Sequence, residues 1–328
     1  MSGSTRVQRG RGIARTIAAL LVTAAAVAWV GSADATPPGK DGPIAFRRYF
    51  DPAHSTGAIF LINRDGTGER QVTHPPAGAL DDYPRFAPDG SKLNFARIDS
   101  GGASVWTVNL DGSGEHPLGP AFANPTGDAQ FSPDGRLIAI GRADGPLKHG
   151  NLKVSINIVA ADGSSVRRLV NLGYHGDLGD ISWSPDGRRL VYQAARLGPH
   201  PAHALFVISI RGGHPHRITH WHTGDIEVDW SPNGKLLLVR FALPNKDFGG
   251  NYYTMRPDGT HLHRLTHFPA KSTTGKASWS PDGKSIVFAN GGVGGNDDIY
   301  VMDADGSAIT PVTRTQTWES RAVWGPAP

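Results

Sequence analysis

The chain has 328 residues, with 33 Lys and Arg against 29 Asp and Glu, and no cysteine. Most of its formal charge of +4 comes from the first 35 residues, where Arg6, Arg9, Arg11 and Arg15 face only Asp34; the rest is near neutral, has no long basic run and argues against a nucleic-acid partner. The absence of cysteine excludes disulfides, thiolate metal ligands and a thiol nucleophile.

Residues 1–35 read as a secretory signal peptide. The four arginines form a basic region, Thr16 to Val30 is apolar, and Ala33-Asp34-Ala35 fits a small-x-small cleavage site. The apolar run is about 15 residues, short of the ~20 that a spanning helix needs. No Arg-Arg pair marks a twin-arginine signal, and no Cys follows to take a lipid. The mature protein is therefore expected outside the cytoplasm: secreted, periplasmic or attached to the cell wall, with no membrane span. Thr36 to Lys40 is expected to be a short flexible tail.

From Asp41 onward the chain repeats. Trp279-Ser280-Pro281-Asp282-Gly283 has siblings at Phe86-Ala87-Pro88-Asp89-Gly90, Phe131-Ser132-Pro133-Asp134-Gly135, Trp183-Ser184-Pro185-Asp186-Gly187 and Trp230-Ser231-Pro232-Asn233-Gly234. A reduced copy, Trp324-Gly325-Pro326, stands near the end. The spacing is roughly 45 to 52 residues, the mark of a repeat architecture.

Each copy ends one strand in a tight turn, because Gly accepts positive φ and Asp bonds local backbone. A short apolar strand follows, such as Leu137-Ile138-Ala139-Ile140 or Ser285-Ile286-Val287-Phe288. A third strand comes after a variable loop, as at Ser104 to Val108, Leu205 to Ile208 and Asp298 to Met302. A second turn, for example Asp111-Gly112 or Asp305-Gly306, leads to a brief fourth strand such as Arg264-Leu265-Thr266. The β-branched and aromatic content with period-two alternation argues for strands. Each repeat is thus a four-stranded antiparallel meander, the blade of a β-propeller.

The chain ends complete the pattern. Pro43 to Phe46 reads as a second strand whose blade lacks a first, and Arg321 to Trp324 as a first strand with no blade after it. Joining them gives a six-bladed, all-β propeller over residues 41–328, closed by a C-terminal strand.

Aromatic-Ser-Pro-Asp-Gly together with Asp298-Ile299-Tyr300-Val301-Met302-Asp303-Ala304-Asp305-Gly306 and Arg-Leu-Thr resembles the WD40-like, or PD40, repeat of TolB-type six-bladed propellers. The resemblance covers residues 41–328. The family's namesake carries an α/β domain ahead of its propeller, for which this sequence leaves no room, so its envelope partners are not carried over. Related propellers precede serine-peptidase domains; nothing here follows the propeller, so a hydrolase reading lacks its catalytic half.

In such a meander the Pro-Asp-Gly and Asp-Gly turns share one face. The longer loops share the other: Phe50 to Gly57, Arg142 to Lys153, Ala195 to His203, Ala242 to Gly250 and Asn290 to Asp297. Binding residues favour such loops on a rigid scaffold. Three residues before each aromatic stand Tyr83, Asp128, Asp180, Glu227, Lys276 and Arg321; five before stand Asp81, Asp225 and Glu319. These predict a polar, mostly acidic mouth for a cation, a sugar or a basic segment. The competing account is that they tie blades together, as buried polar groups must. The densest histidine cluster is His220 and His222 beside Asp225, a candidate metal or pH-sensitive contact. The pairs His214/His216 and His261/His263 have the spacing to share one side of a strand.

Other motifs lead nowhere. Asp303 to Gly306 lacks the closing Glu of a calcium loop, Gly291 to Gly295 lacks the Lys of a phosphate loop, and no serine sits in a Gly-x-Ser-x-Gly elbow. The expected function is a non-catalytic, monomeric propeller that binds a protein or an envelope polymer through its loop face and mouth. The alternative is a metal-dependent hydrolase or lyase acting on a carbohydrate or lactone, with a divalent cation at the mouth.

Overall fold

The computed structural model describes residues 36, 38–123, 125–148, 151–173, 176–196, 200–224, 226–242 and 249–328. Within them the protein is all-β apart from one short 3-10 turn at Pro120–Phe122.

In chain order the strands are β1 (Asp41–Tyr49), β2 (Gly57–Ile62), β3 (Arg70–Gln71), β4 (Leu80–Phe86), β5 (Lys92–Asp99), β6 (Gly102–Asn109), β7 (His116–Pro117), β8 (Pro125–Phe131), β9 (Leu137–Lys148), β10 (Asn151–Ala160), β11 (Val166–Gly173) and β12 (Gly176–Trp183). They continue as β13 (Arg189–Arg196), β14 (Ala202–Ser209), β15 (His216–Arg217), β16 (Ile226–Trp230), β17 (Leu237–Ala242), β18 (Gly250–Met255), β19 (His263–Arg264), β20 (Ser272–Trp279), β21 (Ser285–Val293), β22 (Asp298–Asp303), β23 (Thr310–Pro311) and β24 (Glu319–Pro326).

Strands β8 to β11, β12 to β15, β16 to β19 and β20 to β23 form separate four-stranded sheets, each a simple antiparallel meander. The remaining strands pair as β24-β1-β2-β3 and β4-β5-β6-β7, joined through one parallel bridge between Gly57 and Leu80. The C-terminal β24 lies antiparallel to β1, with Trp324 opposite Ile44 and Glu319 opposite Arg48. The innermost strands pack in sequence: β4 on β8, then β12, β16, β20, β24 and back on β4.

Hydrophobic clusters fill the spaces between neighbouring sheets. One joins Ile156 and Val170 to Ile181 and Trp183; another joins Val287 and Ile299 to Ile44 and Trp324. The motif aromatics are buried throughout, from Trp230 at 0% exposed to Phe131 at 8%. Each is the knob that one blade sets into the next. Burying such a side chain contributes on the order of 1.5–3 kcal/mol.

The repeated polar residues are consumed by the turns. Ser280 Oγ donates to Asp282 Oδ1 at 2.7 Å and accepts from Ser285 N at 3.0 Å. Ser132, Ser184 and Ser231 do the same. Gly283 takes φ +70°, which closes the turn. In the second turn Asp65, Asp111, Asp258 and Asp305 each accept from the backbone and the hydroxyl two residues on. The Thr of Arg-Leu-Thr is likewise committed to the blade. Thr73, Thr219, Thr266 and Thr313 accept from the third-strand N–H of Ile59, Leu205, Tyr252 and Ile299.

Several expectations need correction. The segment 142–153 is mostly not a loop, since β9 runs to Lys148 and β10 begins at Asn151. Of the paired histidines only His216 and His263 lie in strands, each two residues long, and His261 sits at φ +57°; neither pair shares a strand face. Within the stretch expected as a flexible tail, two described residues are anchored: Thr36 is 1% exposed, and Gly39 N donates to Pro281 O at 3.1 Å.

Candidate functional site

Register shifts interrupt the innermost strands at one repeated place. They fall between Asp82 and Arg85, Pro125 and Ala129, Leu178 and Ile181, and Thr274 and Ala277, and in β24 opposite Ala45 to Arg47. A bulge releases a residue from the strand's alternation and re-aims its side chain. The residues three before each aromatic sit in these interruptions, with the exception of Glu227 in the regular β16. Tyr83 and Arg321 take φ +56° and +58°, a backbone that bulky side chains adopt only when their surroundings compel it.

The described acids there have partners, and basic side chains stand among them. Asp81 is 0% exposed and accepts twice from Arg97, at 2.6 and 2.7 Å. Asp82 pairs with Arg47. Glu319, also 0% exposed, takes Arg48 at 2.5 Å and accepts from Thr313. Glu227 lies 3.4 Å from Arg240 and 3.5 Å from Arg321, whose guanidinium also covers the Tyr83 ring at 4.6 Å. Asp180 Oδ2 accepts from Val228 N at 2.8 Å, and Asp229 Oδ2 from Trp279 N at 2.8 Å; both ties cross from one blade to the next. Lys276 is also buried, at 1% exposed.

Burial is the largest influence on the carboxyls of Asp81 and Glu319 and pushes both up against the pull of their arginines. Burial works to lower Arg321, but Tyr83, Asp82, Glu227 and Asp180 more than offset it and the net shift is upward. The ring is thus a buried network of both signs.

The side chain of Asp128 and the whole of Asp225 lie outside the described residues. His220 is exposed, while His222 is partly buried and accepts from Gly224 N through Nδ1 at 2.9 Å. Its backbone bridges to His203 at 2.7 and 2.8 Å. Burial first, and then His222, lower the pKa of His203. Among the described residues no group of three His, Asp or Glu is placed to hold a metal ion.

Two features of the loop face were not singled out from sequence. The first is an aromatic ladder. His54 stacks on Tyr49 with ring centres 4.3 Å apart and meets Trp318 at 4.9 Å, and Arg47 covers the Tyr49 ring at 4.0 Å. His54 sits at φ +56°. Asp51 holds it there by accepting from the backbone of Ala53, Ser55 and Thr56 at 2.9, 3.2 and 2.7 Å. Burial and then Arg47 lower the His54 pKa, which favours the neutral ring. Beside it Phe50 is 52% exposed.

The second is Asp297, 4% exposed on the loop between β21 and β22. Burial pushes its carboxyl up to about 6, against hydrogen bonding from Thr273 and the charges of Arg240 and Arg47. A carboxyl poised near neutral pH on a loop face is a candidate for chemistry or for pH response.

No protein-family model matches the chain. An uncharacterized protein of Agrobacterium fabrum is 28% identical over 142 residues, which are 41% of this chain and 46% of that relative. The chain therefore matches under half the length of this curated relative. Among solved structures, TolB from Acinetobacter baumannii superposes with a TM-score of 0.68 and 19% identity over 87% of this chain and 67% of its own. A TolB-type structure from Agrobacterium tumefaciens gives 0.61 and 19% over 88% and 99%. An oligogalacturonate lyase in complex with manganese gives 0.53 and 18% over 85% and 74%. The fold is that of a TolB-like β-propeller. Shared fold at this identity does not carry activity. Among the described residues no helix is long and apolar enough to cross a membrane.

Proposed function

We propose that this is an exported, non-catalytic propeller that recognises a protein or an envelope polymer through its loop face. In this reading residues 1–35 are the export leader. Residues 41–328 form a six-bladed ring, with β24-β1-β2-β3 as the blade that joins the chain ends. The cyclic packing of the innermost strands and the β24–β1 pairing support it.

The observation that carries the functional reading is the contrast between mouth and loop. The described mouth acids are buried in ion pairs and inter-blade hydrogen bonds, while Phe50 and the tilted His54–Trp318 ring pair stand partly open beside a firmly built loop. Rigid, amphipathic rings suit recognition because they offer contact area at little conformational cost. The test is capture from an envelope extract with wild-type protein and with a Phe50→Ala/Trp318→Ala variant. Loss of the captured species at unchanged Tm is expected. Equal capture by both proteins would contradict the reading.

The alternative is a metal-dependent lyase or hydrolase acting at the mouth. The raised Asp297 and the likeness to a manganese-bound lyase favour it. A rise in Tm on adding manganese, calcium or zinc, absent in Asp297→Asn, would move the assignment that way.

A further inference from the structure

Thr36 is the residue that follows the small-x-small site Ala33-Asp34-Ala35, and it is one of the most buried polar residues in the protein at 1% exposed. Its Oγ1 donates to Trp279 O at 2.9 Å and to Asp229 Oδ2 at 3.3 Å, and lies 3.0 Å from Ser278 Oγ. Asp229 and Trp279 belong to adjacent innermost strands, β16 and β20, and are already tied by the Trp279 N–H to the same carboxylate oxygen. Thr36 therefore enters at the seam between two innermost strands, at the end where the Pro-Asp-Gly turns lie. Two further bonds fix its approach. Gly39 N donates to Pro281 O at 3.1 Å, and Asp282 N donates to Asp41 Oδ1 at 3.1 Å. The chain runs from β1 over the turn at Pro281 and Asp282 and inward to Asp229.

We propose that cleavage after Ala35 makes Thr36 the N-terminal residue, and that this new terminus is a plug: its ammonium joins Asp229 and closes the short-turn end of the axis. The inference rests on reading residues 1–35 as a leader. Hydrolysis by a leader peptidase adds the water oxygen to the Ala35 carbonyl carbon and releases the Thr36 nitrogen as an amine. That amine takes a further proton at neutral pH. A neutral amide thereby becomes a cation on the carbon next to the one that bears the Thr36 hydroxyl, within reach of a buried carboxylate. Charge-assisted bonds of this kind are the stronger ones. A chain that begins at Thr36 can end at the seam, whereas a chain that continues must leave from a buried position beside Trp279. Removal of the leader thus strengthens a docking that the Thr36 side chain already makes.

The test uses the exported, processed protein and a second form that retains Ala33 to Ala35. Mass spectrometry of the processed form reads the leader assignment alone: an N-terminus other than Thr36 overturns the cleavage site. The plug is read separately, by the rate at which an amine-acylating reagent modifies the N-terminus. At least tenfold slower labelling is expected in the native state than in urea, together with a higher Tm for the processed form than for the extended one. Thr36→Val should narrow both differences. Labelling as fast as in urea, or equal Tm for the two forms, would overturn the plug even if the N-terminus is Thr36. The Asp229→Asn variant should make the two forms alike in Tm; if it does not fold, the labelling rate of the processed wild type still decides.

Discussion

Asp81 is 0% exposed and held by two bonds from Arg97. Replacing it with Asn leaves that buried guanidinium with Glu115, at 2.8 Å, as its remaining counter-charge. Removing one partner of a buried pair costs about 3–5 kcal/mol, and Glu115 holds the loss to the low end of that range. Urea unfolding should show that loss for Asp81→Asn while partner binding survives at permissive temperature; a fully stable variant that no longer binds would return Asp81 to the site. Asp297 gives the converse case. Its carboxyl is raised from 3.8 to about 6, so the folded state holds the proton more tightly than the unfolded one. Its contribution is full below about pH 4 and is lost as pH rises through about 6, which amounts to roughly 3 kcal/mol. The difference in stability between wild type and Asp297→Asn should therefore change across about pH 4 to 6 and be flat above about pH 7. At this scale the sequence was least legible. It placed the acids near the axis, but their arginine partners, such as Arg97 for Asp81 and Arg321 for Glu227, come from other strands or blades and follow no spacing. Phe50, His54 and Trp318 are likewise brought together only by the β1–β24 pairing.

The repeated turn shows how an element's residues answer to their neighbours. A Cβ at Gly325 would lie 2.4 Å from Cδ1 of Phe86, the motif aromatic of β4. This explains why the last copy reads Trp-Gly-Pro where the others carry Ser or Ala. Gly325→Ser should destabilise by about 1–3 kcal/mol through overpacking, seen as a lower midpoint in urea; an unchanged midpoint would mean that Phe86 can move aside. Strand order within each repeat was legible, because period-two alternation and the Asp-Gly turns are local signals. The anchoring of Thr36 and Gly39 was not legible, since it depends on Asp229 and Pro281 far along the chain. The extension of β9 and β10 was missed because Gly145 and Pro146 in that stretch read as loop.

For the whole molecule, β24 is the strand that binds the two chain ends together. It carries Trp324 into the cluster with Ile44 and Val287, supplies Glu319 to Arg48 and sends Arg321 to Glu227. A chain ending at residue 318 should lose cooperative unfolding in urea, because β1 becomes a bare edge and Arg48 loses a buried partner; an unchanged, single sharp transition would show that β24 is dispensable. The pairing of the chain ends was legible from the odd strands found there, whereas the balance of charge along the axis was not. In the proposed division of labour, recognition belongs to the loop face and structure to the short-turn face. The most direct measurement places a photo-crosslinking amino acid at Phe50 in one exported protein and at Asp305, on the short-turn face, in another, and irradiates both in the native envelope. Defined adducts are expected from position 50 and none from position 305. Adducts from position 305 with none from position 50 would contradict that division.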